Sequence, residues 1–419
     1  EEDNRMPEHG TENRGGLAES ITRFRQIIQA DPSNVQAWIG LADALREQRQ
    51  TAESIHACRD ALRLEPANIE AMHLLGWGLI DNGQVRDALQ LINEALAIAP
   101  TDPKLRWLRA FALLLLGDYE RGWADYEARW EIPGLSRTRN DFPKPQWRGE
   151  DLSNKTIYLY PEQGLGDSMQ FVRYVPLLRE RGPAKILLAT PPELESLFLQ
   201  SMPDIQQIRA GQAIPMFDYH CSLMSLPLAF GTTLQTIPAN VPYLRPREEL
   251  FMFWRRRLAA YPGVKVGLAW AGGPRSQQNT TRSMHLSQLR ELAGLRDIRF
   301  VSLQKGDPAK QVAEVPDLDL LDWTGELKDF ADTAALVSAL DLVVTVCTSI
   351  AHIAGATGRP TWTMLAYAAD FRWMLERTDT PWYPTMRLYR QPQPQDWPSV
   401  IEQVRRDLVG AVWRQQFER

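Results

Sequence analysis

Apolar residues recur with helical spacing through the first third of the chain, and the pattern itself repeats. Pro32, Pro66 and Pro100, in ADPSN, LEPAN and IAPTD, stand 34 residues apart. Numbered from Val35 and Ile69, each unit carries Trp38 or Met72 at its fourth position, Leu41 or Leu75 at its seventh, and Ala42 or Gly76 at its eighth. Ala61 and Ala95 share the twenty-seventh. Small residues let paired helices approach, large ones fill the gaps, and proline stops each second helix. A half-unit before Asp31, with Phe24 and Ile27, and a degenerate unit over residues 103–130 extend the array. Downstream the rhythm changes to continuous apolar runs separated by helical stretches. Strands are predicted over residues 155–160, 185–189, 264–270, 299–303, 340–346 and 361–365, with a helix over 168–181. Such alternation predicts parallel sheets.

The repeat period is that of tetratricopeptide repeats. The expected layout is a polar tail at 1–16, a repeat array at 17–130 and a proline- and charge-rich linker at 131–154. Two Rossmann-like lobes follow, at 155–245 and 246–395, joined through IPANVPYLRPREEL, and a helical segment at 396–419 packs back on them. The fold class is thus an α-solenoid followed by an α/β unit. Solenoids present an extended concave face, so the array is expected to bind a protein partner.

At 419 residues, two or three domains are expected. A net charge of −5 gives no basic footprint for nucleic acid. Cys58, Cys221 and Cys347 are too few and too scattered for a disulfide framework or a zinc site, which fits a reducing cytoplasm. No apolar run reaches the roughly 20 residues that span a bilayer. The acidic start, EEDNRMPEHGTENRGG, is unlike a signal peptide and is expected to be disordered.

Chemistry concentrates in three loops placed where strands become helices, the edge at which doubly wound sheets hold ligands. In EQGLGDSMQF, Gly164 and Gly166 allow close approach to a ligand, and Asp167 is either a helix cap or a general base. In AGGPRSQQNTTRSM, Arg275 and Arg282 could clamp an anion. Gln304 and Lys305, in SLQKG, end another strand at the same edge. In VTVCTSIAHIAG, Thr348 and Ser349 can cap a helix whose free N–H groups hold a phosphate, with His352 close by or packed on the sheet. A cysteine nucleophile is disfavoured, because Cys347 and His352 are five residues apart, about 140° round a helix. Asp317 and Asp319 in DLDLLDW have the spacing of metal-dependent sugar transferases but lie beside a proline, so a solvated turn is expected. Asn279 begins a chance glycosylation sequon. Trp362, Trp373, Trp382 and Trp397 are expected in the core, with one or two left to line a sugar site.

Together EQGLGDSMQFVRYVPLL, FDYHCSLMSLPLAFGT, FVSLQKG, DFADTAALVSALDLVVTVCTSIAHIAGATGRPTW and WYPTMRLYRQP resemble the sugar-transferase domain of bacterial tetratricopeptide-repeat glycosyltransferases. That domain is similar to the ADP-heptose:lipopolysaccharide heptosyltransferases of the GT-B fold. The resemblance runs from about residue 130 to residue 390 and implies a metal-independent, inverting transfer from a nucleotide-sugar. By that resemblance Asp167 is the catalytic base. The donor and its phosphates fall to Gly164, Gly166, Arg282, Gln304, Lys305, Gly325, Glu326, Cys347, Thr348, Ser349 and His352, with no cofactor. Cys347 departs from the family, which reads Asp-Thr where this chain reads Cys347-Thr348, so the loop lacks a carboxylate. A protein acceptor, a flagellin or another surface protein, would be selected by the repeats. The alternatives are a lipopolysaccharide sugar transferase and a non-catalytic scaffold built on a decayed transferase.

Overall fold

The structure is a computed structural model and describes residues 12–135, 142–273 and 279–410. Residues 1–11 of the expected tail, Arg275 and residues 411–419 lie outside them. Two compact units divide the chain, Glu1–Ile132 and Pro133–Arg419.

The first unit is helical, with α1 (Glu12–Ala30), α2 (Val35–Glu47), α3 (Thr51–Leu64), α4 (Ile69–Asp81), α5 (Val85–Ile98), α6 (Pro103–Leu116) and α7 (Tyr119–Tyr126). Helix α1 starts at Glu12, inside the stretch expected to be disordered. The repeat has a local cause at each helix start. Asn34, Asn68 and Asp102, each two residues past a proline, accept the N–H of Ala37, Ala71 and Leu105 at 2.9, 3.0 and 2.9 Å, satisfying donors that a helix start leaves open. Gly76 shows why the eighth position is small: a Cβ there would sit 2.8 Å from Leu108 Cδ2 on α6.

Trp77, Trp107 and Phe111 form an aromatic cluster between α4 and α6, with ring centroids 4.8 to 5.4 Å apart. Trp77 donates its indole N–H to His73 Nε2 at 3.2 Å. Burial pushes the His73 imidazole down to about 4, helped by the charges of Lys104 and Arg46 and opposed by Asp102 and Asp43. The unfolded chain protonates near pH 6.5. Stability that is full above that pH is therefore lost as pH falls towards 4, by at most about 1.4 kcal/mol per pH unit. Urea unfolding of the full chain should give a smaller loss between pH 7 and pH 5 for His73→Gln than for the wild type. Equal losses would remove His73 as the cause.

The second unit holds two parallel sheets. In the first lobe β1 (Thr156–Tyr160), β2 (Lys185–Ala189), β3 (Gln206–Ile208) and β4 (Tyr219–Ser222) lie in the order β3-β2-β1-β4. Its helices are α8 (Leu165–Phe171), α9 (Val175–Glu180), α10 (Glu195–Ser201) and α11 (Leu226–Ala229). Where one helix is predicted after β1, the structure breaks it into α8, a 3-10 turn and α9. Pro176, in the first turn of α9, has no N–H to continue a ladder. The expected linker also contributes to this lobe: Gln146 pairs with His220 at the edge of β4, and Trp147 and Leu152 are fully buried.

In the second lobe β5 (Val264–Ala269), β6 (Ile298–Ser302), β7 (Leu342–Val346), β8 (Thr361–Leu365) and β9 (Met386–Arg390) run in the order β6-β5-β7-β8-β9. The accompanying helices are α12 (Glu248–Ala259), α13 (Asn279–Arg282), α14 (Phe330–Ala339), α15 (Ser349–Ala356) and α16 (Trp397–Val409). Strands β7 and β8 are buried along their whole length, as a parallel sheet covered on both faces requires. Helix α16 buries Trp397, Val400, Ile401, Val404 and Leu408 against this lobe. All four tryptophans expected to cluster are buried, so none of them is left on a surface to line a sugar site as the sequence implied. Asp317 and Asp319 are exposed and pair with Arg290 and Arg299, as a solvated turn would. Two Rossmann-like lobes thus follow each other, as the sequence predicts. No helix among the described residues is long and apolar enough to cross a membrane.

Candidate active site

The strand order reverses beside β1 in the first lobe and between β5 and β7 in the second. Loops at such switch points leave in opposite directions and open a crevice at the strand ends. Asp167 follows β1, Arg282 follows β5, and Cys347, Thr348 and Ser349 follow β7. Helices α8 and α15 pack against each other, bringing the lobes together at this edge.

Asp167 is both cap and ion pair. Its Oδ2 accepts the Gly164 N–H at 2.8 Å, and its Oδ1 pairs with Arg372 of the second lobe. With its side chain 19% exposed, the carboxylate still has lone pairs to accept a proton. At Gly166 a Cβ would lie 2.7 Å from His352 Cδ2, so glycine is needed for the lobes to touch.

His352 is buried. Its Nδ1 is 2.8 Å from the Tyr383 hydroxyl, and its ring stacks on Trp373 at 5.7 Å and 23°. Burial, then the charges of Arg372, Arg173 and Arg282, push its imidazole well below the usual histidine range, so it is neutral. Cys347 accepts the Trp373 indole N–H at 3.1 Å, and burial, then Asp370, raise its thiol. A protonated thiol whose histidine is engaged elsewhere is no nucleophile. Thr348 caps α15, accepting the Ile350 N–H at 3.2 Å, and Ser349 begins the helix. Arg282 is close enough for its charge to act on both Cys347 and His352. Its Nε is buried with no hydrogen-bond partner, and no carboxylate among the described residues pairs with it.

The remaining expected residues make contacts of their own. Gln304 is a brace: its Oε1 accepts the N–H groups of Trp270 and Ala271 at 3.0 and 2.9 Å, and its Nε2 donates to Ala271 O and Lys305 O, both at 3.1 Å. Lys305 donates to Leu327 O. Glu326 is paired with Arg257 of α12 at 2.6 Å, which holds its carboxyl below the usual range, while Gly325 beside it has open space. These side chains shape the loops around the site. Arg372 and Tyr383, which the sequence did not single out, and Trp373, expected only as one of the clustered tryptophans, supply much of its contact network. Among the described residues no three His, Cys, Asp or Glu side chains are grouped to hold a metal ion.

Family models for tetratricopeptide repeats match residues 12–69 and 45–110. Protein FlbA of Caulobacter vibrioides is 30% identical over 325 residues, which is 72% of this chain and 54% of that protein. The chain therefore spans about half the length of that curated relative. The glycosyl transferase family 9 structure from Veillonella parvula is similar over 65% of this chain and 100% of its own, at 12% identity and a TM-score of 0.47. E. coli ADP-heptose lps heptosyltransferase II is similar over 62% and 99%, at 14% identity and a TM-score of 0.43. Residues 12–110 of the chain thus belong to the tetratricopeptide repeats, and the part that follows them folds as two Rossmann-like lobes.

Proposed function

We propose that the protein is a cytoplasmic, metal-independent glycosyltransferase that moves a sugar from a nucleotide-sugar to a protein acceptor, such as a flagellin or another surface protein, held by its repeats. One observation carries this reading: Arg282, a cation with no carboxylate partner among the described residues, acts on His352 in the first turn of α15, the helix that Thr348 caps and Ser349 begins. A helix start and an unpaired guanidinium together make an anion site. In this reading the base is Asp167, at the start of α8 and paired with Arg372 of the second lobe.

In the proposed reaction the acceptor hydroxyl attacks the anomeric carbon while its proton passes to Asp167. The bond from that carbon to the phosphate oxygen breaks, and the nucleoside diphosphate leaves with the electron pair. Arg282 and the first turn of α15 stabilise the charge that develops on it. A single displacement inverts the anomeric centre. Neutral His352 supports α15 without adding charge.

The test is thermal unfolding with a panel of nucleoside diphosphates and nucleotide-sugars. A ligand at 100 times its Kd stabilises the native state by about 2.7 kcal/mol. One nucleotide class should raise the midpoint, and Arg282→Ala should weaken it by roughly 1.5–3 kcal/mol, the scale of a charged hydrogen bond. A panel without any shift would count against a donor site. A second reading, a scaffold on a decayed transferase, is favoured by Cys347 alone, since the loop lacks the carboxylate of similar enzymes.

A further inference from the structure

One buried side chain ties the two lobes at several points. Arg372 lies in the 3-10 turn Phe371–Trp373, beyond β8, and is buried. Its Nη2 pairs with Asp167 of α8, and its Nε donates to Gln170 Oε1 of the same helix at 2.6 Å. On its own lobe, Asp370 Oδ1 accepts Nη1 at 2.8 Å and the Arg372 backbone N–H at 3.0 Å. A guanidinium is a rigid planar fork, so bonds to three fixed groups leave it one orientation. Asp167 is correspondingly held at two points that belong to different lobes: Gly164 N–H fixes Oδ2 from the first, Arg372 fixes Oδ1 from the second. Either hold alone leaves the carboxylate free to turn about its terminal torsion, which is broad for sp²-ended side chains.

We propose that Arg372 is the positioning residue for Asp167, orienting that carboxylate for proton transfer only when the two lobes are in contact. This deepens the transferase reading and rests on it. Arg372 also lies near enough to α15 for its charge to act on His352, so a direct role in holding the donor phosphates is the competing assignment.

The experiment compares the full-length wild type with Arg372→Gln, Arg372→Lys, Asp167→Asn and the Asp167→Asn, Arg372→Gln double variant. Calorimetry follows the binding of uridine, guanosine, adenosine and cytidine diphosphates. Turnover is followed as nucleoside diphosphate released from the matching sugar esters, and hydrogen exchange is followed at the amides of α8 and α15. A positioning role predicts that Arg372→Gln lowers kcat about 100-fold, the scale of a misplaced catalytic group. Nucleoside diphosphate affinity should stay within about threefold of the wild type, and Arg372→Lys should recover part of kcat. The double variant should be no slower than Asp167→Asn, because residues that act as a unit are not additive. Affinity lost as strongly as in Arg282→Ala would instead make Arg372 a donor ligand and overturn the proposal, as would multiplicative losses or wild-type kcat in Arg372→Gln. If the wild type binds and cleaves nothing, the transferase reading fails and base positioning falls with it. Exchange then judges the contact between lobes: faster exchange in α8 and α15 of Arg372→Gln supports that tie, and unchanged exchange removes it.

Discussion

Asp167→Asn should reduce sugar transfer by at least about 100-fold while leaving nucleoside diphosphate affinity near the wild-type value. The amide keeps one oxygen to accept the Gly164 N–H, so the start of α8 retains its cap. What it loses is the basic group and the charge opposite Arg372. General-base catalysis contributes typically 10²–10⁴-fold, which sets the scale of the loss. Nothing at Arg282 or Thr348 changes, and donor binding reports on those groups. The pair is partly screened, with Asp167 19% exposed, so the accompanying loss of stability should be modest, roughly 1–3 kcal/mol. Turnover assays beside calorimetry decide the matter. Transfer at the wild-type rate would remove Asp167 from the reaction, and loss of both transfer and binding would show a damaged fold rather than a missing base.

The second large effect is on stability. Arg173→Met should destabilise the second unit by about 3 kcal/mol, measured by chemical denaturation. Arg173 is 2% exposed and has no carboxylate partner among the described residues. Its Nε donates to Gln170 O at 2.7 Å, Nη1 donates to Trp382 O of the other lobe, and Nη2 donates to the Tyr243 hydroxyl at 2.9 Å. The guanidinium also lies 4.7 and 4.5 Å from the ring centres of Tyr243 and Tyr383. Two effects oppose each other. Removing a buried charge relieves a desolvation cost of several kcal/mol. Against that, each stranded carbonyl costs roughly 1–3 kcal/mol and each lost ring contact about 1 kcal/mol or more. With Pro238 O and the Trp382 ring added, four acceptors and three rings outweigh the relief. A neutral result would mean that the charge costs as much as its contacts return.

Arg173 and Arg372 mark where reading the chain stops. VRY and FRW carry no period, no cap pattern and no motif that singles out an arginine. Their importance comes from Trp382, Tyr243, Asp167 and Gln170, residues far away in the chain that the fold brings to one junction. Gly166 shows the same limit from another side. Its loop position is legible, yet the reason for glycine is the ring of His352 on the opposite lobe. Trp147 was hidden because a proline- and charge-rich stretch reads as a linker until the edge of β4 is there to pair with it.

The amino-acid sequence by itself determined the repeats, because helix caps and small residues act within a few turns and recur every 34 residues. It determined six of the strands for a similar reason: a strand covered on both faces reads as a mostly apolar run, and β7 and β8, buried along their whole length, are apolar but for their threonines. It also placed Asp167, Arg282 and Thr348 at strand ends, since a strand followed by a helix needs no partner to be recognised. Only the tertiary structure decided which of these groups meet, and that Gln304 and Glu326 brace the surrounding loops. Local signals report hydrogen bonds closed within a few residues, whereas an active site is closed by contacts across some 200 residues of chain, such as the 205 that separate Asp167 from Arg372.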